Sequence, residues 1–428
     1  MRILQLSSHT TLLPIHGGKL RSHHIGRVIE REPGFNLRRL ALTHRSPDDL
    51  DDPREPIVDI GRSPYWGSDS FCKYGVRAHY FSEFLFSAAV LETPDILAEF
   101  NKRVCDAAPD LIILEHPWTW PLLARLEKVQ SGIVPLVYSS QNVEINIKRS
   151  ILDRECIEFS SELRNEVLDE IEALERGLVA HAAGVVACTA SDGAVFSEWG
   201  ARRVVVAPNG GAQRDRELLI DLLPRPIEPW HAYALVVGSA HPPNISGFLD
   251  LVVPFLPLLQ PNQRIVVAGD AGLAIRNRLE ERGLSTIIRD RLIVLGRVDG
   301  FTLDCVIANA QVIMVPILYG GGSNVKTAEA LLSGRPVLAT GHAMRGFDDF
   351  HHLPGLTIAD DAAGFGEAML DALALPFPAS SVDHAAVAPL LWESTIAPFV
   401  ALLRGIDQER QSRQGSATFA VEEGGHRP

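Results

Sequence analysis

The sequence predicts an α/β chain of two domains, each built on a parallel sheet, and three observations carry that prediction. Its 428 residues exceed one ordinary core and suit two domains, at roughly 100–200 residues per domain. Hydrophobic residues make up 46% and charged residues 22%, the profile of a globular rather than a disordered chain. Short apolar runs alternate with longer helical patterns, as in βαβ units around a parallel sheet, and the pattern restarts halfway along.

In the first half the runs at 3–6, 40–43, 111–114, 135–138, 184–188 and 204–207 read as strands. They are continuous rather than alternating, as strands covered on both faces should be. Residues 156–181, rich in Glu and Leu, read as one long exposed helix. Pro208-Asn209-Gly210-Gly211 is a turn signal, and the polar, proline-bearing stretch after it places the domain boundary within 208–231. In the second half, strands are predicted at 232–237, 264–268, 291–295, 312–315 and 336–339, with helices from about Ser246 and over about 324–332. The expected organisation is a first domain over 1–208, a linker over 209–231 and a second domain over 232–380. Helices over 381–407 are placed to return to the first domain, and 408–428 is a polar tail expected to be disordered.

The formal net charge of -13 argues against nucleic-acid partners, which need basic surfaces. It leaves room for a phosphorylated small molecule, since a nest of amides and one lysine can hold phosphate on an acidic protein. The cysteines, Cys72, Cys105, Cys156, Cys188 and Cys305, are odd in number and without C-x-x-C spacing. No disulfide framework or zinc site is expected, and a reducing cytoplasm fits; Cys188 and Cys305 read as small buried hydrophobes. The opening apolar run is too short for a signal-peptide core. The longest apolar stretch, 249–259, is broken by Pro254 and Pro257 and falls short of the ~20 residues that span a bilayer. No transmembrane segment is expected, and peripheral contact with the inner face of a membrane stays compatible with the sequence.

The segment that carries most chemistry runs from Pro316 to Ala330. A strand ends, Gly320-Gly321-Gly322 lets the backbone approach a ligand closely, and a helix begins. The first amides of a helix lack internal partners and favour an anion. Ser323 is placed as the N-cap, followed by Asn324, and Lys326 falls in the first turn. A lysine there opposes the helix dipole unless an anion compensates, which favours a diphosphate held by amides and lysine together. Glu329 lies one turn further on. As an exposed pair with Lys326 it would contribute at most ~0.3 kcal/mol; as a ligand group it can accept both hydroxyls of a ribose, by the logic of acidic residues in dinucleotide folds.

These residues, with Ala330-Leu331-Leu332-Ser333-Gly334-Arg335-Pro336 after them, resemble the C-terminal donor motif of family 4 (group 1) glycosyltransferases of the GT-B fold. The resemblance extends to the stretch 175–209 ending in Pro-Asn-Gly, to Val237-Gly238-Ser239-Ala240-His241-Pro242-Pro243-Asn244, to 109–116, and to Gln141-Asn142-Val143-Glu144. It implies two Rossmann-like parallel-sheet domains facing across a cleft, the first on the acceptor side and the second binding the donor. It also implies retaining transfer of a sugar from a nucleotide-diphosphate sugar to a glycan, lipid-linked or small-molecule acceptor, with no cofactor and no metal. By the same resemblance Glu329 holds the ribose, while Gly321, Gly322 and Ser323 serve phosphates and sugar. Gly238 and Asn244 lie in the first donor-domain loop, and Gly17 and Gly18 lie in a loop that meets the donor phosphates. His116, at the end of a predicted strand, matches a histidine near the transferred sugar. The chain departs from the family pattern in two respects. Gly321 stands where many members carry a glutamate that touches the sugar, and Ser239 and Asn244 stand where many carry Arg or Lys, so the diphosphate depends on Lys326 and backbone amides.

Around these, Lys19 and Arg21 either add positive charge or are solvated, His9 is a weaker candidate than His116, and Trp118 and Trp120 either wall an acceptor site or pack locally. Fixed amides and a lysine can stabilise the charge on a departing diphosphate. Same-face attack then needs no protein nucleophile, which fits the lack of G-x-S-x-G, Cys–His or H-E-x-x-H patterns. The competing readings are a nucleotide-sugar epimerase on the same fold, a non-catalytic nucleotide-sugar-binding protein made conceivable by Gly321, and an NAD-dependent oxidoreductase. The last lacks any G-x-G-x-x-G after a predicted strand with an acidic residue at the right distance.

Overall fold

The computed structural model describes residues 1–12, 17–47, 49, 51–156, 159–214, 216–378 and 383–423. The chain forms two compact units, one of Met1–Ala207 with Ile396–Pro428 and one of Pro208–Thr395.

The first unit carries a parallel sheet of β1 (Arg2–Ser7), β2 (Asn36–Thr43), β3 (Ile57–Asp59), β4 (Leu111–Leu114), β5 (Leu136–Ser139), β6 (Gly184–Ala187) and β7 (Val204–Val206). Its spatial order is β3-β2-β1-β4-β5-β6-β7. Register places Leu6 beside Leu40 on one side and Leu114 on the other. Both faces are covered, so Leu111, Ile112, Ile113 and Leu114 are all buried, which explains the unbroken apolar runs.

The second unit repeats the plan with β8 (Ala232–Val237), β9 (Gln263–Ala268), β10 (Leu292–Gly296), β11 (Val312–Val315), β12 (Val337–Ala339) and β13 (Leu356–Ile358), in the order β10-β9-β8-β11-β12-β13. Successive strand residues feed opposite layers: Leu235 and Ile313 join one apolar cluster, Ala234, Val236 and Met314 the other. The helix Pro242–Leu251 lies so close to the end of β11 that a methyl group on Gly247 would sit 1.7 Å from the carbonyl oxygen of Pro316.

Several elements differ from the sequence expectation. β3 and β13, three residues each at a sheet edge, carry too little apolar pattern to be predicted. The helix expected over 156–181 starts later, as Ser161–His181, capped by the Ser160 hydroxyl accepting the Leu163 N–H at 3.2 Å, and a further helix, Glu144–Glu155, precedes it. The helix expected from Ser246 starts at Pro242, since a proline fits the first helical turn, where its missing N–H costs nothing. Residues 408–423, expected as a disordered tail, continue the helix Trp392–Glu423. Low hydrophobicity excludes a core there but not a helix, and Gln, Glu, Arg and Ala are good helix formers. Residues 424–428 lie outside the described residues. None of the five cysteines forms a disulfide among the described residues, and Cys188 and Cys305 are buried. No helix among the described residues is long and apolar enough to cross a membrane.

Candidate functional site

Open parallel sheets bind ligands beyond the carboxyl ends of their strands, where the strand order reverses. In the second unit that point lies between β8 and β11. β11 runs into the glycine turn, where Gly320 and Gly322 have φ of 129° and 59°, a region open to glycine and costly for other residues. The helix that follows is short, Val325–Leu331, with Asn324 at its N-cap and no side-chain cap bond. Ser323, expected as the cap, is held elsewhere. Its hydroxyl accepts the backbone N–H of Asn209 at 2.8 Å, and its carbonyl accepts Asn209 Nδ2 at 2.6 Å. The Pro-Asn-Gly turn thus outcompetes the helix for that hydroxyl. Seven residues make a short dipole, so the amides of the turn and Lys326 offer more positive charge here than the helix end does.

The loop after β12 holds the turn from the other side. Arg345 Nε donates to the Gly322 carbonyl at 2.8 Å, and Nη2 donates to the same oxygen. Arg345 also contacts His342. Burial and the Arg345 charge lower the His342 pKa, with a backbone bond to Gly320 opposing. Thr327 donates to the Ala343 carbonyl at 2.8 Å and Asn324 Nδ2 reaches the same oxygen at 3.5 Å.

Lys326 Nζ donates to Asn244 Oδ1, and Asn244 Nδ2 donates to the Ser239 carbonyl at 2.9 Å. Both ends of the Asn244 amide are therefore engaged in positioning the lysine. Burial pushes the Lys326 ammonium down to about 8, with Glu329 opposing. Gly238 brings its loop beside Asn244, but its N–H goes to Ala268 at 3.0 Å and its carbonyl to the Ala271 N–H at 3.1 Å. Glu329 forms no ion pair with Lys326, and its carboxylate accepts no hydrogen bond among the described residues. Burial pushes that carboxyl up; the charges of Arg214, Arg216 and Lys326 oppose the rise and Asp304 adds to it. Lys326 and Glu329 line one cavity of about 20 Å³ together with Val237, Ile307, Met314 and Val315.

In the first unit the order reverses between β1 and β4. Gly17 and Gly18, expected in a loop, are the first two residues of the helix Gly17–Glu30, and residues 13–16 before them lie outside the described residues. The Gly18 carbonyl accepts Gln141 Nε2 at 3.3 Å, and a methyl on Gly18 would sit 2.7 Å from Gln141 Oε1. His116 follows β4, half-buried, with Nδ1 3.0 Å from the Ser8 hydroxyl and its ring edge-on to His9 at 5.0 Å. Beside it Glu115 is fully buried; burial pushes its carboxyl up, and Gln5 Nε2 donates to it at 2.6 Å and Ser139 at 3.2 Å. Lys19 is not simply solvated, since it reaches Thr10 at 3.0 Å and Asp49 at 3.8 Å. Arg21 is buried and donates to the Ala207 carbonyl at 2.9 Å. Trp118 is buried and packs locally, while Trp120 stacks at a tilt on His181 at 4.8 Å.

Gly321, Gly322, Ser323, Asn324, Lys326, Glu329, Gly238 and Asn244 thus gather at one switch point, and Gly17, Gly18 and His116 at the other. Arg345, His342, Arg214, Arg216 and Asp304 were missed by sequence reasoning. The signal for Arg345 and His342 was their place just past the predicted strand 336–339, next to the glycine turn's strand.

Two α/β units of this topology match the GT-B fold. The model for the family described as "Glycosyl transferases group 1" matches residues 231–374, within the second unit. The fold is similar to that of sucrose-phosphate synthase from Thermosynechococcus elongatus, at a TM-score of 0.65 and 16% identity, covering 95% of this chain and 99% of that one. It is also similar to an α,α-trehalose-phosphate synthase (UDP-forming) from Burkholderia vietnamiensis, at a TM-score of 0.63 and 15% identity, covering 95% and 100%. None of the curated proteins compared with the chain matches it.

Proposed function

We propose that this chain is a retaining glycosyltransferase that binds a nucleotide-diphosphate sugar on the glycine turn of its second unit and passes the sugar to a glycan, lipid-linked or small-molecule acceptor. The observation that carries the reading is the pairing of Lys326, half-buried and shifted to about 8, with a Glu329 carboxylate that accepts no hydrogen bond among the described residues, both beside a glycine turn. Lys326 meets a neutral amide oxygen rather than a counter-charge, and a diphosphate and a ribose diol would complete the pair. In this reading the turn amides and Lys326 stabilise the charge that develops on the diphosphate as the bond from sugar carbon to phosphate oxygen breaks. Asn244 orients Lys326, Arg345 fixes the carbonyl of Gly322 away from the phosphates, and Glu329 accepts the ribose hydroxyls. The acceptor hydroxyl attacks from the face the diphosphate leaves, and its proton passes to the leaving phosphate oxygen. His116 is assigned to the sugar and acceptor side. The transfer is assigned no metal and no cofactor.

The test is a thermal-shift screen of nucleotide sugars, since a ligand of the folded state raises the midpoint by mass action, followed by product analysis. Nucleotide release that depends on acceptor is expected. Gly321, in place of a sugar-contacting glutamate, favours a second reading, a nucleotide-sugar-binding protein without turnover. Binding with no acceptor-dependent release for any acceptor class would select it, and a changed sugar on an intact donor would select an epimerase.

A further inference from the structure

Asp304, on the helix Gly300–Ala308, gathers two arginines from the segment after the Pro-Asn-Gly turn: Arg214 Nη1 at 2.6 Å and Arg216 Nε at 3.0 Å. The same segment packs on the glutamate's helix, since a methyl on Gly211 would sit 3.4 Å from Glu329 Cα. Asp304 lies three residues before Ile307, which lines the cavity that holds Glu329, so both share one helix face. Arg216 is 9% exposed, and its buried Nη1 has no hydrogen-bond partner. A single carboxylate leaves one positive charge of this cluster uncompensated. The pairing of Arg214 with Asp304 alone would suffice to tie the linker to the helix, but that explains nothing about a second guanidinium buried beside it. The other carboxylate within its electrostatic reach is Glu329.

We propose that Arg216, gathered by Asp304, is a positioning residue that holds Glu329 as an ionised acceptor for the ribose hydroxyls of the donor. The inference rests on the reading above that Glu329 receives that ribose. A charged carboxylate accepts hydroxyl hydrogen bonds about twice as strongly as a neutral group. The groups facing Glu329 are Arg214 and Arg216 from the linker, Asp304 from the neighbouring helix and Lys326 from its own. Burial and Asp304 favour the protonated form, and the three cations favour the ionised form. Without Arg216 the ionisation moves to higher pH.

The experiment measures affinities of the full chain for UDP, ADP and GDP and for their 2′-deoxy counterparts, from about pH 5 to about pH 9. The ratio of ribo to deoxy affinity reports Glu329, because the titration of Lys326 acts on both members of each pair and cancels. Arg216→Met is expected to move the midpoint of that ratio upward by about one pH unit, a loss of preference of up to about tenfold near the parental midpoint that recovers at alkaline pH. Arg216→Lys should restore most of the parental profile. Asp304→Asn, which removes the negative neighbour, should move the midpoint down, and it carries the test if the methionine variant does not fold. An unmoved midpoint in either variant, or an equal loss for ribo and deoxy ligands at every pH, overturns the proposal while leaving the donor site intact. A parent chain that binds none of the three diphosphates, or binds them without ribose preference, overturns the ribose reading and this inference with it.

Discussion

Two lysines, buried Lys148 in the first unit and half-buried Lys326 in the second, meet opposite surroundings. Lys148 in the first unit donates to Glu83 at 2.9 Å and to the Tyr80 carbonyl at 3.2 Å, and lies 5.3 Å from the centre of the Trp118 ring. Burial acts to lower its pKa, but the carboxylates of Glu83 and Glu144 outweigh burial and raise it. Nearby Glu175 is equally satisfied, accepting the Tyr138 hydroxyl at 2.9 Å and the amides of Glu144 and Ile145 at 3.0 and 3.2 Å. Among the described residues Lys326 in the second unit has only a neutral amide oxygen as its hydrogen-bond partner, and burial wins. The first cluster is complete within the protein and serves the fold. The second is incomplete, and what it lacks is anionic and hydroxyl-bearing.

The largest effect that would sharpen this contrast is on stability. Glu175→Ala strands three buried donors, each costing about 1–3 kcal/mol. Denaturant unfolding should therefore show a loss of about 3 kcal/mol or more, with nucleotide affinity of the folded fraction unchanged. Lys326→Ala should reverse that pattern, weakening nucleoside-diphosphate binding by about 10- to 100-fold, as for loss of one charged hydrogen bond. Calorimetry should show little change for the nucleoside. Because the ammonium is the binding form and its pKa lies at about 8, diphosphate affinity in the parent should fall as pH rises through that value. An unchanged pH profile in Lys326→Ala would break the contrast. Glu329→Ala is expected to cost about tenfold in ribo-over-deoxy discrimination, since a charged hydrogen bond contributes about 1.5–3 kcal/mol and deoxy ligands keep one of the two hydroxyls.

The smallest effect is a slope. Burial raises Glu144 from 4.5 to about 7 against the Lys148 charge. The folded state therefore holds that proton more tightly than the unfolded chain does. The stability it contributes is fully present below about 4.5 and is lost as pH rises through about 7. Glu144→Gln should flatten that part of the stability profile, measured by urea midpoints across the same window.

Much of this was legible in the sequence because parallel strands buried on both faces write themselves as continuous apolar runs. β4, β8 and β11 fall on the residues their runs mark. The glycine turn was legible because positive φ has a residue signature. The partners that complete the site were not, because they are contacts across the fold. Asn209 lies 114 residues from the Ser323 it binds, and Asp304 lies 88 residues from Arg216. Such pairings have no local period. Ser323 shows the cost of local reasoning, since a rule for helix starts assigned it to a cap while a distant turn held its hydroxyl. The start of the helix Ser161–His181 was placed too early for a related reason, since only the Ser160 cap marks it.

The contact between Gly247 and Pro316 has a consequence for how this protein tolerates change. Pro316 is the first residue after β11, a few positions ahead of the glycine turn, and a single added carbon on the opposing helix has nowhere to go but into its carbonyl. Relief must come from shifting either the helix or the strand end, and the strand end carries the turn. A residue well before the glycine turn in the sequence, on the helix that also carries Asn244, therefore works as a spacer that sets the height of the turn above the sheet, and a mutational survey scoring activity alone would mistake it for part of the chemistry.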